Sequence, residues 1–200
     1  MRDKKFWNFC VFMYDFWHNL ERKSYRIVAD NICSDLKGSE DILEIACGTE
    51  LLTKVITKKY DNLNYKAIDY ASKMIDICKK KNINASFEIA DAENLPYHDN
   101  SFDVIIIANA LHILSNPSKV INEIKRCLKR GGVIYAPNFL TPSTFKERFI
   151  LGVIRKFGYK VYNEFTLENF MDFLKSNGLK VNKKFTYKCF RTLLFVKCSI

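Results

Sequence analysis

The sequence lacks the features of repetitive, multidomain and membrane-spanning proteins. It has no internal repeat, no glycine/serine-rich or proline-rich linker, and only seven glycines and four prolines in 200 residues. Its length fits one domain, because domains commonly run to roughly 100–200 residues. No apolar run approaches the ~20 residues that span a bilayer, and no signal-peptide pattern follows the charged first residues. We therefore expect a single globular domain with neither a membrane span nor a secretory signal.

Paired cysteine motifs are also missing. The seven cysteines are odd in number and widely spaced, and none forms a C-x-x-C pair. This pattern excludes the common zinc sites and disulfide frameworks, so we expect no metal site. Unpaired thiols are typical of the reducing cytosol, and the expected location is cytoplasmic.

Arginine is scarce beside lysine, with 8 residues against 24, although the net charge is +10. Arginine supplies the planar fork that makes bidentate contacts with phosphate or guanine. The charge is therefore interpreted as a lysine-rich solvated surface, and nucleic acid is not the expected partner. An RNA substrate is kept as an alternative because lysines neutralise phosphates.

Strands alternate with helices through the middle of the chain. Apolar runs predict strands at 42–46, 65–68, 86–90, 102–108 and 133–136, and 3/4-spaced apolar residues predict helices at 51–59, 73–81 and 119–129. Ser72 is expected to cap the second of these helices. Such alternation indicates βαβ crossovers and a parallel sheet. The run from Val104 to Ile107 is apolar at every position, which is typical of a central strand covered on both faces.

Other patterns flank this region. Residues 4–37 predict two helical segments, 4–20 and 22–36, ended by Gly38. Towards the other end, helices are predicted at 145–157 and 167–176, and β-rich runs at 179–187 and 192–198. The two β-rich runs are close enough in sequence to pair as an antiparallel hairpin at a sheet edge.

A turn of small residues follows the first predicted strand. In the turn from Ala46 to Glu50, a ligand can lie against backbone N–H groups. Asp69 ends the next strand, 21 residues after Gly48, where a carboxylate can accept both hydroxyls of a ribose. A dinucleotide fingerprint would need glycine at 46, 48 and 51, and only Gly48 is present. The pattern predicts a nucleoside-containing ligand and gives a nicotinamide oxidoreductase little support.

Six motifs together resemble the class I S-adenosylmethionine (SAM)-dependent methyltransferases, in the subgroup similar to the ubiquinone/menaquinone-biosynthesis (methyltransferase type 11) enzymes. The motifs are ILEIACGT at 42–49, IDYASKM at 68–74, ADAENLPY at 90–97, DNSFDVI at 99–105, LH at 111–112 and LKRGG at 128–132. They lie within residues 41–139, about half of the chain, in the order and spacing of the family.

The resemblance implies an α/β fold with a doubly wound, Rossmann-like seven-stranded sheet. The sheet would be mostly parallel with a C-terminal antiparallel hairpin, and an N-terminal helical lid would cover it. The single methyltransferase domain would comprise a lid (1–37), a SAM-binding core (40–139), substrate-cap helices (140–178) and a strand pair (179–200).

The resemblance also implies which residues bind the cofactor. Residues 46–48 would cradle the methionine moiety, with Glu44 near its amino group. Asp69, which ends the second strand, would hold the ribose. Tyr70 and Met74 would flank the adenine, and Asp91 and Ala92 would bind its edge. Tyr14 of the first helix would close over the cofactor. The expected set is Tyr14, Glu44, Ala46, Cys47, Gly48, Asp69, Tyr70, Met74, Asp91, Ala92, Ala108 and Asn109.

The catalytic assignment is less specific. Because methyl transfer from a sulfonium draws its driving force from the cofactor, a general base is optional. His112 is the candidate base, with packing or substrate contact as the competing interpretations. His18 and His98 are interpreted as surface or loop histidines.

Two features leave the function open. Relatives usually have glycine where this chain has Glu50, so the turn would be strained if it needs positive φ, and Glu50 could instead meet the cofactor's ammonium. Seven aromatic residues lie in the helix at 6–17, flanked by basic residues. That helix could be a lid, a lipid-facing helix giving peripheral membrane contact through residues 4–23, or a dimer contact.

The expected function is methyl transfer from SAM to an O, N, S or C nucleophile of a small, partly apolar molecule, with S-adenosyl-L-homocysteine as the product. The alternatives are a non-catalytic SAM-binding or regulatory protein, and a methyltransferase acting on lipid or RNA. The chain could be a monomer or a homodimer.

Overall fold

A computed structural model describes residues 2–156, 158–188 and 191–200, and in the first half of the first helix it describes only the side chains of residues 6–8 and 11. The helices are α1 (Arg2–Cys33), α2 (Leu51–Thr57), α3 (Ser72–Lys79), α4 (Pro117–Cys127), α5 (Phe145–Lys156) and α6 (Leu167–Ser176), with a 3-10 helix at Leu111–Ile113. The strands are β1 (Asp41–Ile45), β2 (Asn64–Asp69), β3 (Ser86–Ile89), β4 (Phe102–Ile107), β5 (Leu128–Tyr135), β6 (Asn138–Phe139), β7 (Lys180–Lys188) and β8 (Thr192–Ser199).

One mixed sheet organises the chain. Strands β3, β2, β1, β4 and β5 are parallel neighbours in that order. Strand β8 runs antiparallel to β5, β6 and β7. This is the expected α/β doubly wound sheet with a C-terminal antiparallel hairpin. The order reverses at β1, where β1 lies between β2 and β4, and ligands of such sheets bind at this switch point.

The sheet has eight strands rather than the expected seven because one strand is interrupted. Both β5 and β6 pair with β8 in a single continuous register, Tyr135 opposite Lys197 and Asn138 opposite Leu194. Pro137 lies between them, and a proline has no N–H to donate to the ladder. Strand β6 is therefore the two-residue continuation of β5.

The core lies on both faces of the central strand. In β4, Ile105 and Ile107 pack in the apolar cluster on one face, and Val104 and Ile106 pack in the cluster on the other. The three isoleucines are fully buried. The uninterrupted apolar run of the sequence thus reflects burial on two faces.

The N-terminal segment differs from its prediction. The two expected helices, 4–20 and 22–36, form one helix, α1, of 32 residues, because residue 21 carries no backbone signal that would end a helix. The C-terminal half of α1 is anchored by Val28, Ala29 and Ile32, which are buried in the core.

The start of α3 also differs. Ser72 is the first residue of the helix, and the capping residue is Ala71, which makes no side-chain cap bond. Instead, Asp69 Oδ1 accepts a hydrogen bond from the Ala71 N–H at 2.8 Å. The carboxylate at the end of β2 thus shapes the entry into α3.

Candidate functional site

The turn after β1 has an unusual backbone. Ala46 and Gly48 have φ values of 57° and 56°, and Glu50 has φ 77°, so every second residue of the turn is left-handed. The Cys47 N–H donates to Ile68 O at 3.0 Å, which ties the turn to the end of β2. This conformation brings the ends of β1 and β2 together around one space.

A cavity of about 280 Å³ lies at the carboxyl ends of β1, β2 and β4. Nine of the twelve residues expected to bind a cofactor line it: Ala46, Gly48, Asp69, Tyr70, Met74, Asp91, Ala92, Ala108 and Asn109. The cavity wall also contains residues that the sequence did not indicate: Trp7, Ile45, Ile68, Ala90, Glu93, Ala110, Ile113, Leu114 and Ser115. The motifs therefore converge on one space, and binding roles for these residues stay predictions.

Asp69 holds the two loops at the cavity floor. Its Oδ2 accepts from the Gly48 N–H at 3.0 Å, and its Oδ1 accepts from the Ala71 N–H at 2.8 Å. Burial raises the pKa of this carboxyl, and the backbone hydrogen bonds oppose that rise. The same side chain thus organises the backbone and presents an acidic wall to the cavity.

Glu44 lies beneath the cavity rather than in its wall. It is buried in β1, where its Oε2 accepts from Thr53 Oγ1 at 2.5 Å and from the Tyr65 hydroxyl at 2.7 Å. Burial, together with the charges of Asp69 and Glu50, raises its pKa to about 7, although the hydrogen bonds from Thr53 and Tyr65 oppose that rise. A cationic ligand in the cavity would relieve this concentration of acidic groups.

Glu50 is the left-handed residue at the N-terminus of α2, and its side chain is buried. Its Oε2 forms an ion pair with Lys81 Nζ, and the same ammonium lies 3.4 Å from Thr49 O. Glu50 does not line the cavity. The carboxylate is thus neutralised by a residue just beyond α3, which ties the turn to that helix.

The cysteines near the turn are structural. Cys47 is buried and lies outside the cavity wall, and burial together with a hydrogen bond to Cys78 raises the pKa of its thiol. Cys78 Sγ donates to Gly48 O at 3.2 Å. Both thiols therefore support the turn from below.

Asn109 supplies a polar acceptor at the end of β4. It has φ 53°, its N–H donates to Pro137 O at 2.8 Å, and it lines the cavity. Its Oδ1 is buried, and no described group donates a hydrogen bond to it. A buried acceptor without a donor is costly, so the cavity suits a ligand that brings an N–H group to this point.

The far side of the cavity is more open. Tyr70 is 43% exposed, whereas Met74 is buried against Val11 of α1. Asp91 lines this side, and its Oδ1 accepts from the Glu93 N–H at 2.9 Å. A flat group could lie between the tyrosine ring and the methionine, with the exposed Asp91 at its edge.

Helix α1 closes one side of the site. Trp7 lines the cavity, Asn8 Oδ1 accepts from the Lys73 N–H at 3.0 Å, and Val11 packs on Met74. The expected contact through Tyr14 lies outside the described side chains. The aromatic richness of residues 6–17 was the sequence signal for Trp7, although it did not single out that residue.

His112 does not line the cavity, and both of its ring nitrogens have partners within the protein. Its Nδ1 lies 3.0 Å from Asn138 Oδ1, and its Nε2 lies 2.9 Å from the Tyr159 hydroxyl. Burial and the charge of Arg191 lower its pKa to about 4, so the ring is neutral. In this arrangement both ring nitrogens have partners and the ring lies outside the cavity wall, which favours the packing interpretation of His112, and a role as general base stays an untested prediction.

The partners of His112 carry no sequence signal. Tyr159 follows α5, and its ring centroid lies 5.9 Å from that of Trp7. Arg191 donates to the Tyr159 hydroxyl. Since these residues are 47 and 79 positions away from His112 in the chain, only the tertiary structure brings them together.

The described residues contain neither a metal-type cluster nor a membrane-spanning helix. No cluster of three or more histidine, cysteine or acidic side chains has the arrangement of a metal site. No helix in the described ranges combines the length and apolar character needed to cross a membrane.

Comparison with known proteins identifies relatives of this site. Residues 43–136 match the family model described as a methyltransferase domain. Demethylmenaquinone methyltransferase of Thermotoga maritima is 34% identical over 126 residues, which is 63% of this chain and 54% of that protein. An uncharacterised protein of Methanocaldococcus jannaschii is 31% identical over 151 residues, covering 76% of this chain and 69% of its own length. The chain spans about half the length of the demethylmenaquinone methyltransferase.

A solved structure extends the likeness to the whole fold. A SAM-dependent methyltransferase of Thermotoga maritima, described as a possible histamine N-methyltransferase, superposes with a TM-score of 0.74. The match covers 97% of this chain and 98% of that one at 20% identity. At this identity the likeness concerns the fold alone, over nearly the whole of both chains.

Proposed function

We propose that the chain, whose residues 43–136 match the methyltransferase-domain family, transfers the methyl group of SAM to a small, partly apolar acceptor. The observation that carries the proposal is the cavity at the ends of β1, β2 and β4, with an acidic floor at Asp69 and the buried acceptor Asn109 Oδ1. A ligand that is both cationic and a nucleoside satisfies both features.

The residues of the cavity fit SAM group by group. The Asp69 carboxylate would accept the ribose hydroxyls, and Asn109 Oδ1 would accept from the ammonium of the methionine end. Residues 46–48, with small side chains and left-handed backbone, would leave room for the methionine moiety. Tyr70 and Met74 would flank the adenine, and Asp91 and Ala92 would bind its edge.

SAM supplies an activated methyl group on a sulfonium, and the product would be S-adenosyl-L-homocysteine. The protein's own contribution is alignment and exclusion of water, which can contribute roughly 7–11 kcal/mol to the barrier reduction. Trp7 from α1 and Leu114, which follows the 3-10 helix, would enclose the acceptor. No side chain of the cavity wall is assigned as a base, and His112 would instead fix the segment after α5 by its bond to Tyr159.

The acceptor is proposed by analogy with a relative. Demethylmenaquinone methyltransferase, by its name, acts on an isoprenoid quinone. The apolar wall formed by Ile113 and Leu114 is consistent with an acceptor of low polarity. The proposed location is the cytoplasm, because the five described cysteines are free thiols and free thiols are typical of a reducing compartment.

A non-catalytic SAM-binding protein is the second candidate, and Glu50 is the observation that favours it. A left-handed glutamate at this turn could hold the loop in a conformation suited to sensing rather than turnover. Labelled methyl transfer to a pool of small metabolites separates the two functions, since a binding protein would give no labelled product.

Cofactor binding is tested first by thermal unfolding. SAM at ~100 times its dissociation constant should stabilise the fold by about 2.7 kcal/mol, a shift of roughly 5–10 °C for a chain of this size. Asp69→Asn should weaken SAM binding about 10- to 100-fold, since it removes a charged hydrogen-bond acceptor. Asp76→Asn, at an exposed position of α3, is the matched control and should bind as the wild type does. A shift with NAD but none with SAM would overturn the proposal.

A further inference from the structure

The outer face of α5 carries a stripe of exposed apolar side chains. Phe145, Phe149 and Val153 are 85%, 64% and 41% exposed. Residues four apart lie one above another on a helix, so these three form a single strip along α5. A side chain added at Gly152 would meet no atom within 4 Å beyond its own helix and immediate neighbours, so this side of α5 is open.

Basic side chains flank the stripe. Lys146, Arg148 and Lys156 are exposed on α5, and Arg155, also exposed, pairs with Glu164 at 2.8 Å. Between residues 145 and 160 the sequence has five basic residues and one acidic residue. The exposed surface of α5 is therefore both apolar and cationic.

The single acidic residue of α5 is used inside the fold. Glu147 is buried, and its Oε2 accepts from the Ser143 and Thr144 N–H groups at 2.8 and 3.4 Å. Thr144 Oγ1 accepts in return from the Glu147 N–H at 3.2 Å. This capping box fixes the start of the helix, and it leaves no acidic group of α5 on the outer face.

The segment after α5 is bonded to the wall of the cavity. The Tyr162 and Asn163 N–H groups donate to His112 O at 3.0 and 3.1 Å, and Asn163 Nδ2 donates to Leu114 O at 2.8 Å. Leu114 lines the cavity. The segment that follows α5 is thus held beside the cavity, and it connects the helix to the site along the chain.

We propose that this face of α5, defined by Phe145, Phe149 and Val153 with Lys146, Arg148 and Lys156, docks the protein on an anionic lipid bilayer. Phenylalanine side chains partition into the boundary between headgroups and acyl chains, and lysine and arginine attract the negative headgroups. The high exposure of Phe145 and Phe149 leaves their rings available to a flat bilayer surface. The surface is distinct from the 4–23 segment that the sequence suggested.

The proposal is tested by co-sedimentation of the full chain with phosphatidylglycerol-rich vesicles and with pure phosphatidylcholine vesicles. The protein should sediment with the anionic vesicles and only weakly with the neutral ones. The Phe145→Ser/Phe149→Ser variant should lower the partition coefficient by on the order of tenfold for each phenylalanine. Replacing Lys146, Arg148 and Lys156 by glutamine should lower it about fivefold for each charge.

Matched controls change the same residue types elsewhere. Ile200→Ser removes an apolar side chain that is 60% exposed, and Lys58→Gln removes an exposed charge just after α2, outside the proposed docking face. Both should sediment like the wild type. Circular dichroism and the SAM-induced thermal shift of each variant confirm that the fold and the cavity are intact.

Two results would overturn the docking proposal. One is equal sedimentation of the wild type and the phenylalanine variant. The other is a wild-type dimer that the phenylalanine variant converts to a monomer while vesicle binding is unchanged, since the stripe would then be a contact between two copies. Vesicle binding is measured without SAM or an acceptor, so its failure leaves the proposed methyl transfer standing.

Discussion

At the residue scale, the turn after β1 contains a conformation that normally favours glycine. Glu50 adopts φ 77° with a buried side chain, and a left-handed conformation costs an L-residue roughly 1–2 kcal/mol. The ion pair with Lys81, together with the contact from Lys81 to Thr49 O, offsets that cost. The buried glutamate therefore depends on the lysine for its counter-charge, and the lysine is held by both Glu50 and Thr49 O.

This dependence predicts that substituting Lys81 lowers the unfolding free energy more than substituting Glu50 does. Lys81→Met leaves a buried carboxylate unpaired and should cost about 1–3 kcal/mol of unfolding free energy, whereas Glu50→Gly removes the backbone strain and should cost less. The double variant should be no less stable than Glu50→Gly alone. Urea denaturation of the three variants measures this, with Lys79→Met, an exposed residue of α3, as the control. A Lys81→Met variant as stable as the control would show that the ion pair contributes nothing.

At the scale of elements, the 3-10 helix after β4 is joined to the segment after α5 through His112. The Asn138 amide oxygen can only accept, so the His112 Nδ1–H donates to it, and Nε2 accepts from the Tyr159 hydroxyl. Arg191 donates to the same hydroxyl. The 3-10 helix, strand β6 and the segment after α5 thus meet at one neutral imidazole, and Arg191 joins them through the Tyr159 hydroxyl.

Tyr159→Phe tests this junction while keeping the aromatic contacts with Phe6 and Trp7. The variant leaves the buried Nε2 without a donor, which should lower the unfolding free energy by about 1–3 kcal/mol. Tyr162→Phe removes a hydroxyl from a ring that is 43% exposed, and its effect should stay within about 0.5 kcal/mol. Equal denaturation midpoints for the two variants would contradict the role assigned to the Tyr159 hydroxyl.

At the scale of the whole molecule, two buried groups make opposite contributions to the pH dependence of stability. The pKa of His112 is lowered from 6.5 to about 4, so the unfolded chain binds its proton more readily, and stability rises with pH between those values. The pKa of Glu44 is raised from 4.5 to about 7, so the folded chain holds its proton longer, and stability falls with pH over that interval. The two contributions cancel in large part between pH 4.5 and 6.5.

Glu44→Gln should expose the contribution of His112. Glutamine keeps an oxygen for Thr53 and Tyr65, and it cannot ionise. The stability of the variant relative to the wild type should therefore grow by about 2–3 kcal/mol between pH 5 and 7, since one pKa unit corresponds to about 1.36 kcal/mol. Urea midpoints across this range measure the difference, with Glu168→Gln, an exposed carboxyl of α6, as the control. Parallel pH profiles for Glu44→Gln and the wild type would show that Glu44 does not titrate in this range.

The sequence by itself determined most of the elements, the parallel arrangement of the central strands and half of the residues that line the cavity. Hydrophobic periodicity is a local property of the sequence. The small residues 46 and 48 follow the carboxyl end of β1, and Asp69 is the last residue of β2. Nine of the expected cofactor positions line the cavity because each motif is a short segment at the end of a strand, and their binding roles stay predictions. The Rossmann-like arrangement then follows, because parallel strands joined by short helices have few ways to pack.

Only the tertiary structure decided how the polar groups pair. Glu50 meets Lys81 31 residues later, His112 meets Tyr159 47 residues later, and Pro137 divides β5 from β6 at the register set by β8. Such contacts depend on how elements pack on one another, and a long side chain can reach many partners from one position. The exposed stripe on α5 also depends on tertiary packing. An amphipathic pattern shows that a helix has an apolar face, but it does not show whether another element covers that face.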